Sequence, residues 1–257
     1  MRSVFITGAS SGLGEALARH YAAQGAQVGL AARRGTALQA LAGQLPSGAA
    51  TCYALDVRDR AALHAAAQDF LARCGGRVDA VIASAGVSAG TLTAHVEDFG
   101  VFTEIVETNL LATVATFEPF IAPMRAARSG RLVGISSVAA VRGLPGAGAY
   151  SASKAAVSTY CESLRNELAG DGVRVVTIAP GYIRTPMTRD NPYGMPFLLD
   201  ADAFARRAVR VIARGHSYRV IPWQMGVVAK LMALLPNVVY DRCARAAPRK
   251  PRRGDAA

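Results

Sequence analysis

The chain has 257 residues, of which 51% are hydrophobic and 18% charged, and its formal net charge is +11. This length and apolar content are sufficient for one large α/β domain with a substantial core, and they exclude a chain that is disordered throughout. Basic residues crowd the last part of the chain. Because no DNA- or RNA-reading motif accompanies that charge, we predict no nucleic-acid partner.

The cysteines lie far apart and form no Cys-x-x-Cys pair: Cys52, Cys74, Cys161 and Cys243. This spacing disfavours both a zinc site and a secreted disulfide framework, so we predict no metal and a reduced, cytoplasmic location. Because no charged-then-apolar leader pattern with a small-residue cleavage site is seen before the first apolar run, we predict that the protein is not secreted. Prolines and polar residues interrupt the apolar stretch 220–239, which makes it a poor membrane span, although a helix lying on a membrane surface remains an alternative.

Short apolar runs alternate with amphipathic helical patterns along most of the chain. Strands are predicted at residues 4–7, 27–31, 51–55, 80–84, 130–136 and 174–179, with helical patterns such as 14–24 and 61–73 between them. This alternation predicts an α/β fold, namely a single Rossmann-type, doubly wound parallel sheet with helices on both faces. No repeat or linker divides residues 1–247, and the basic tail 248–257 is predicted to be disordered.

The segment 186–196 is rich in Pro, Gly and Asn, which is typical of a loop. An apolar patch follows at 197–199, and then a basic amphipathic helix at 201–214. A loop with apolar anchors beside a nucleotide-binding fold is typical of a substrate lid, which we place at 186–215. An ordinary core-packing loop is the alternative.

A glycine-rich turn joins the first predicted strand to the first predicted helix. Glycines let the backbone approach a pyrophosphate closely, and the free N–H groups at a helix N-terminus attract anions. A structural helix cap would also explain the turn, but its position directly after an N-terminal strand favours a nucleotide loop. The candidate cofactor-binding residues of this turn are Gly8, Ser10, Ser11, Gly12, Leu13 and Gly14.

The residues after the second predicted strand bear on the choice of cofactor. NAD enzymes place a carboxylate here for the ribose 2′-hydroxyl, whereas this strand is followed by Arg33 and Arg34. Guanidinium groups suit a 2′-phosphate, so NADP(H) is predicted in preference to NAD(H). A pair of solvated surface arginines is the alternative.

Tyr150 and Lys154 stand four residues apart in a predicted helix and therefore share one face. Tyrosine ordinarily loses its proton near pH ~10, and a neighbouring ammonium would favour the phenolate and permit acid–base work nearer neutrality. Ser137 ends a strand and can hydrogen-bond a substrate oxygen. Asn109 is a polar residue in an apolar helical segment, where a structural role is the alternative.

Together these features resemble the short-chain dehydrogenase/reductase family. The matching elements occur in family order and spacing over roughly residues 2–186: the turn 7–14, Asp56 and Val57 after the third strand, Asn109, Ser137, the YSASK run 150–154, and the PGYIRT run 180–185. The resemblance implies an oxidoreductase that transfers hydride between NADP(H) and a carbonyl or secondary alcohol.

The resemblance also implies roles for the matching residues. Tyr150 exchanges the proton, Lys154 lowers the pKa of Tyr150 and binds the nicotinamide ribose, Ser137 holds the carbonyl, and Asn109 positions Lys154 through a water. Further cofactor contacts are implied at Asp56, Val57, Ala85, Gly86, Pro180, Gly181, Ile183 and Thr185. This chain departs from the family's Asn-Asn-Ala-Gly stretch at residues 83–86, and it has Ser11 where NADP-preferring members often carry a cation.

The substrate is predicted to be lipophilic because apolar residues cluster in the loops: Leu144, Pro145, Met187, Met195, Phe197 and Leu198. A non-catalytic NADP(H)-binding sensor and a membrane- or partner-binding module are the alternative functions. The resemblance implies a homodimer or homotetramer joined through the helices at about 101–124 and 151–169. The apolar segment 223–240 must pack on its own domain, on a membrane surface or, the favoured reading, on a second subunit.

Overall fold

The computed structural model describes residues 1–189, 191, 193–246 and 249–253. Its strands, in chain order, are β1 Ser3–Thr7, β2 Gln27–Ala32, β3 Ala50–Ala54, β4 Ala80–Ala83, β5 Gly130–Ile135, β6 Val173–Pro180, β7 Ile183–Arg184, β8 Leu199–Asp200 and β9 Tyr218–Ile221. A seven-stranded sheet has the order β3-β2-β1-β4-β5-β6-β9, and every neighbouring pair in it is parallel. The short strands β7 and β8 pair with each other.

The helices are α1 Gly12–Ala23, α2 Gly35–Ala42, α3 Arg60–Arg73, α4 Asp98–Val106, α5 Ala112–Ala126, α6 Gly148–Glu167, α7 Ala201–Arg214, α8 Trp223–Leu234 and α9 Asn237–Arg245. A π-helical turn, Glu107–Leu111, joins α4 to α5. The resulting continuous helix is long and apolar enough to span a membrane, as core helices of soluble proteins often are, and 44% of its most apolar window is buried.

The structure confirms the predicted α/β fold with a doubly wound parallel sheet. The six predicted strands correspond to β1 to β6 with boundary shifts of a residue or two, and α7 has the predicted bounds. Sequence reasoning missed β9. Among the described residues that strand pairs with β6 alone, at the sheet edge. Its residues Tyr218 and Arg219 are exposed, so it lacks the apolar run that marked the central strands.

The pleat of β1 divides its apolar side chains between the two faces of the sheet. Val4 and Ile6 belong to the core under α1, α2 and α7. Phe5 belongs to the opposite core, under α3, α5 and α6, where its ring centroid lies 5.6 Å from that of Phe70 and 5.2 Å from that of Phe120. Each such buried side chain contributes about 1.5–3 kcal/mol to folding.

The path of the chain creates a cleft at the carboxyl ends of the strands. From β1 the chain moves outward to β2 and β3, and then returns to β4 on the other side of β1. The loops that follow β1 and β4 therefore leave the sheet in opposite directions. Such a switch point is where open α/β sheets bind ligands.

We expected residues 248–257 to be disordered. Residues 249–253 lie against the domain instead, and the Gly90 N–H donates to the carbonyl of Pro251 at 3.1 Å. Pro248 and residues 254–257 lie outside the described residues. The predicted lid begins with a single 3-10 turn, Pro186–Thr188, and its residues Asp190 and Pro192 are likewise outside the described part of the chain.

Candidate active site

The glycine-rich turn between β1 and α1 forms one wall of the cleft. Gly8 has a φ of +68°, which side-chain-bearing residues rarely adopt, and a Cβ on Gly8 would lie 2.7 Å from the Cα of Ala85. A Cβ on Gly14 would lie 2.4 Å from the carbonyl oxygen of Gly8. Glycine is therefore needed at both positions. Ser11 begins α1 without a side-chain capping hydrogen bond in the described structure, so the first N–H groups of the helix can serve an anion.

The cleft has a volume of about 320 Å³. Ser137 lines this cleft, and so do all the predicted cofactor-binding residues except Asn109. Those residues are Gly8, Ser10, Ser11, Gly12, Leu13, Gly14, Arg33, Arg34, Asp56, Val57, Ala85, Gly86, Tyr150, Lys154, Pro180, Gly181, Ile183 and Thr185. Met187, which the sequence assigned to the substrate, also lines the cleft. Nine further lining residues were not assigned from the sequence: Ala32, Leu55, Ser84, Val87, Thr108, Ile135, Ser136, Pro186 and Thr188. The carboxyl ends of the predicted strands were the available signal for Leu55, Ser84 and Ser136, whereas Thr108 lies in the π-helical turn and Thr188 in the 3-10 turn after β7.

Two arginines and an aspartate lie at the end of the cleft near β2 and β3. Arg33 and Arg34 are both exposed, and the Arg34 guanidinium donates to the hydroxyl of Ser10 at 3.1 Å and to its carbonyl at 3.2 Å. The Arg58 guanidinium donates to Asp56 at 2.6 Å and holds the pKa of that carboxyl below its usual range. Asp56 thus enters the cleft as an ion-paired carboxylate.

Tyr150 lies in the first turn of α6 and faces the end of β5, where Ser137 begins a 3-10 turn and accepts a hydrogen bond from Ala139 N at 3.1 Å. Burial raises the pKa of Tyr150, and a hydrogen bond with the Ser137 hydroxyl partly offsets that rise. The sequence led us to expect a lowered pKa. In the structure, the largest influence on the pKa of Tyr150 is the loss of hydration of the phenolate on burial, which raises it.

Lys154 follows Tyr150 by one helical turn and is 5% exposed. Its Nζ donates to the carbonyl of Ile135 at 2.8 Å and lies 5.9 Å from the centroid of the Tyr150 ring. Burial lowers the pKa of Lys154 to about 8. The ammonium is thus held next to Tyr150 by a main-chain carbonyl that no side-chain pattern could have indicated.

Asn109 is fully buried in the π-helical turn between α4 and α5. Its Oδ1 accepts from Val87 N at 2.8 Å, and its Nδ2 donates to Val87 O at 3.1 Å and to Ser153 Oγ at 2.9 Å. Ser153 Oγ in turn donates to the Tyr150 carbonyl at 2.8 Å. Asn109 therefore joins the loop after β4 to the start of α6, and Ser153, which sequence reasoning missed, completes the connection.

The family model for short chain dehydrogenase matches residues 2–194. The chain belongs to the short-chain dehydrogenase/reductase family. It is 39% identical over 246 residues to an uncharacterized oxidoreductase of Myxococcus xanthus (strain DK1622), covering 95% of this chain and 96% of that protein.

Two solved structures share the fold of this family member. The 3-ketoacyl-(acyl-carrier-protein) reductase from Brucella melitensis, complexed with NADH, has a TM-score of 0.78 and 26% identity, and the match covers 86% of this chain and 96% of that one. The alcohol dehydrogenase from Thermococcus sibiricus, complexed with 5-hydroxy-NADP, has a TM-score of 0.76 and 27% identity, with 86% and 96% covered. Members of this oxidoreductase family bind NAD(H) or NADP(H).

The residues of this chain fit such a dinucleotide. Gly8 and Gly14 form a cradle that a Cβ would fill, and the N-terminus of α1 points its N–H groups at the place where a pyrophosphate would lie. Arg33 and Arg34 add positive charge at one end of the cleft, and Tyr150 stands with Lys154 at the other wall. The site thus combines a glycine cradle suited to an anion with a tyrosine–lysine pair.

Proposed function

We propose that this short-chain dehydrogenase/reductase transfers hydride between NADP(H) and the carbonyl or secondary alcohol carbon of a lipophilic substrate. The observation that carries the proposal is the meeting of Ser137, Tyr150 and Lys154 in the cleft that also contains the glycine cradle. A fold of this type supports many functions, so the argument rests on these side chains.

Each of the three side chains has its own role in the proposed reaction. Ser137 and Tyr150 would donate hydrogen bonds to the substrate oxygen, where negative charge develops during reduction. Tyr150 would give its proton to that oxygen in reduction and take it back in oxidation. Lys154 would bind the nicotinamide ribose and offset the charge of the tyrosinate. The nicotinamide, when bound, supplies or accepts the hydride.

A panel of aliphatic and aromatic ketones, with NADPH oxidation followed by absorbance, tests the proposal. We expect steady turnover with at least one lipophilic ketone, and oxidation of the corresponding alcohol with NADP⁺. Tight NADPH binding without turnover of any panel member would point instead to a nucleotide sensor.

The preference for a lipophilic substrate is supported by apolar side chains exposed on the loops that follow β5 and β7. Leu144 is 36% exposed, Met187 41% and Phe197 50%. The base of the predicted lid is held by the β7–β8 pair, in which Leu199 N donates to Tyr182 O at 3.0 Å. A loop anchored at its base can move at its tip while its apolar residues cover a substrate.

The preference for NADP(H) is supported by the residues that follow β2. No carboxylate stands there, Arg33 is exposed, and Arg34 is already held on Ser10. Arg33 is therefore the guanidinium available for a 2′-phosphate. Replacing it removes a charge-assisted contact worth ~1.5–3 kcal/mol.

We expect Arg33→Ala to weaken NADPH binding by about ten- to a hundredfold and NADH binding by less than about twofold. Fluorescence titration of the reduced nucleotides measures both dissociation constants. The matched control is Arg77→Ala, which removes an exposed arginine just before β4, at the end of the sheet opposite the cleft. An equal loss for both nucleotides would show that Arg33 does not bind the 2′-phosphate.

We also propose that the enzyme is at least a dimer, in keeping with its family, whose members commonly oligomerise. Four residues form an exposed apolar stripe along α8: Trp223 is 69% exposed, Val227 49%, Leu231 61% and Leu234 81%. Their spacing places them on one helix face. An apolar surface of this kind favours association, and a second copy is the occupant we propose.

Replacing both Leu231 and Leu234 by Glu should at least halve the mass measured by light scattering. Trp223 is the single tryptophan of the chain, so its emission should shift to the red when the wild-type protein is diluted to monomers. Ala65→Glu, on the exposed side of α3, adds the same charge elsewhere and should leave the mass unchanged. Equal masses for all three proteins, or a blue shift of Trp223 only with anionic vesicles, would contradict the interface.

A further inference from the structure

The C-terminal segment 249–253, called the C-terminal strap below, packs against the loops beside the cleft. Gly90 N donates to Pro251 O at 3.1 Å, and a Cβ on Gly90 would lie 2.3 Å from the carbonyl oxygen of Lys250. On the other side, a Cβ on Gly146 would lie 3.2 Å from the Cβ of Arg249. Because neither glycine has a side chain, the strap can lie in direct contact with the loops after β4 and β5.

Ion pairs hold the strap in this position. Arg252 donates to Asp98 through Nε at 2.8 Å and through Nη2 at 3.0 Å, and its side chain is only 14% exposed. The same guanidinium reaches Glu97 at 2.8 Å, and Arg253 reaches Glu104 at 2.5 Å. A bidentate, largely desolvated arginine–carboxylate pair is among the stronger polar contacts in proteins. These pairs therefore fix the position of the strap beside the cleft.

Lys250 is the strap residue that contacts the loops at the edge of the cleft. Its Nζ donates to the hydroxyl of Ser88 at 3.1 Å and to the carbonyl of Met187 at 3.4 Å. Met187 lines the cleft, and Ser88 directly follows the cleft residue Val87. The ammonium therefore lies at the rim of the proposed catalytic site, between the loop after β4 and the start of the lid.

Within the part of the chain that the structure describes, the contacts of Lys250 do not compensate its charge. Both acceptors are neutral, and no carboxylate among the described residues comes within ion-pair distance of its Nζ. The side chain is partly buried, and burial lowers the pKa of Lys250. A partly desolvated cation without an anion is unfavourable on its own, and an arriving anionic group would stabilise it.

We propose that Lys250 binds a carboxylate of the carbonyl substrate, so that the enzyme acts on lipophilic oxo acids and the corresponding hydroxy acids. This inference rests on the proposed function, because it names the substrate class of the same site. The apolar residues Leu144, Met187 and Phe197 would contact the hydrocarbon part of the substrate, and Lys250 would contact its charged end.

The test compares acids with neutral analogues of the same shape. The probes are straight-chain methyl-ketone acids of increasing length, from levulinic acid upward, and their methyl esters, with NADPH oxidation as the readout. We expect the wild-type enzyme to have a lower KM for an acid of suitable length than for its ester. Lys250→Met should raise the KM of that acid about ten- to a hundredfold, while the KM of the ester and both kcat values stay within about twofold.

Two further variants separate recognition from folding. Lys250→Arg retains the charge and should keep much of the preference for the acid. Arg77→Met removes an exposed cation at the opposite end of the sheet and should change no KM. Calorimetric titration of the oxo acid into the enzyme loaded with NADP⁺, which cannot reduce it, gives the dissociation constant of the acid for the wild type and each variant.

The possible failures are distinguishable. If Lys250→Met raised the KM of acid and ester equally, the strap would have only a structural role and the inference would be overturned. If the variant weakened NADPH binding and left the acid-to-ester ratio unchanged, Lys250 would be a cofactor contact, which also overturns it. If no ketone of any kind were reduced by the wild-type protein, the proposed function itself would fail.

Discussion

Tyr150→Phe is expected to lower turnover by about a hundred- to ten-thousandfold, while the dissociation constant of NADPH stays within about twofold. In the proposed mechanism the hydroxyl exchanges a proton with the substrate oxygen, whereas the ring, which lines the cleft, is retained in the variant. NADPH oxidation with the best ketone of the panel measures the first quantity, and nucleotide fluorescence measures the second.

The matched control for this prediction is Tyr160→Phe. Tyr160 lies on the same helix, but its ring stacks on Phe117 at a centroid distance of 6.3 Å in the core beneath the sheet. Removing its hydroxyl should leave turnover unchanged. If Tyr150→Phe kept a rate within about tenfold of the wild type, proton transfer by Tyr150 would have to be abandoned.

Lys154→Met is expected to reduce turnover by at least about a hundredfold, and also to change how stability depends on pH. Burial lowers the pKa of Lys154 from 10.5 to about 8, so the charged ammonium destabilises the folded state. That penalty is fully present below pH 8 and is relieved as the pH rises, because the folded protein then releases a proton that the unfolded chain keeps.

The free energy of unfolding should therefore rise more steeply with pH in the wild type than in Lys154→Met. Between pH 7 and pH 9.5 the wild type should gain about 2 kcal/mol relative to the variant, at about 1.4 kcal/mol per pH unit above the folded pKa. Guanidinium chloride unfolding at both values measures the difference. Lys230→Met, which removes an exposed lysine on α8, should show no such gain. Parallel curves for Lys154→Met and the wild type would mean that the ammonium is not penalised by burial.

Much of the fold could be predicted from local patterns. The apolar runs that became β1, β4 and β5 are buried along their whole length or nearly so, and central parallel strands of this kind leave an unambiguous signal in sequence. The edge strand β9 left none, because half of its residues face solvent. Regular, local periodicity was therefore predictable, whereas pairing at an edge depends on the partner strand.

The candidate site shows the same division at the level of single residues. Two features of the site depend only on residues that are close along the chain, and both could be predicted from the sequence. They are the four-residue spacing of Tyr150 and Lys154 and the glycines of the turn after β1. The anchoring of Lys154 on the Ile135 carbonyl and the Asn109–Ser153–Tyr150 connection join distant segments through main-chain groups. No spacing along the chain encodes those contacts.

By itself, then, the sequence determined the parallel α/β sheet, the glycine cradle and the shared helix face of Tyr150 and Lys154, because each depends on residues that are neighbours along the chain. Only the tertiary structure decided how far the pKa values of the site residues are shifted and which residues lie at the edge of the cleft. Burial, which is a property of the packed domain, outweighs the expected lowering of the Tyr150 pKa. The strap that brings Lys250 to Ser88 closes a loop of more than half the chain, and it is held there by arginine–carboxylate pairs that only the folded sheet places within reach.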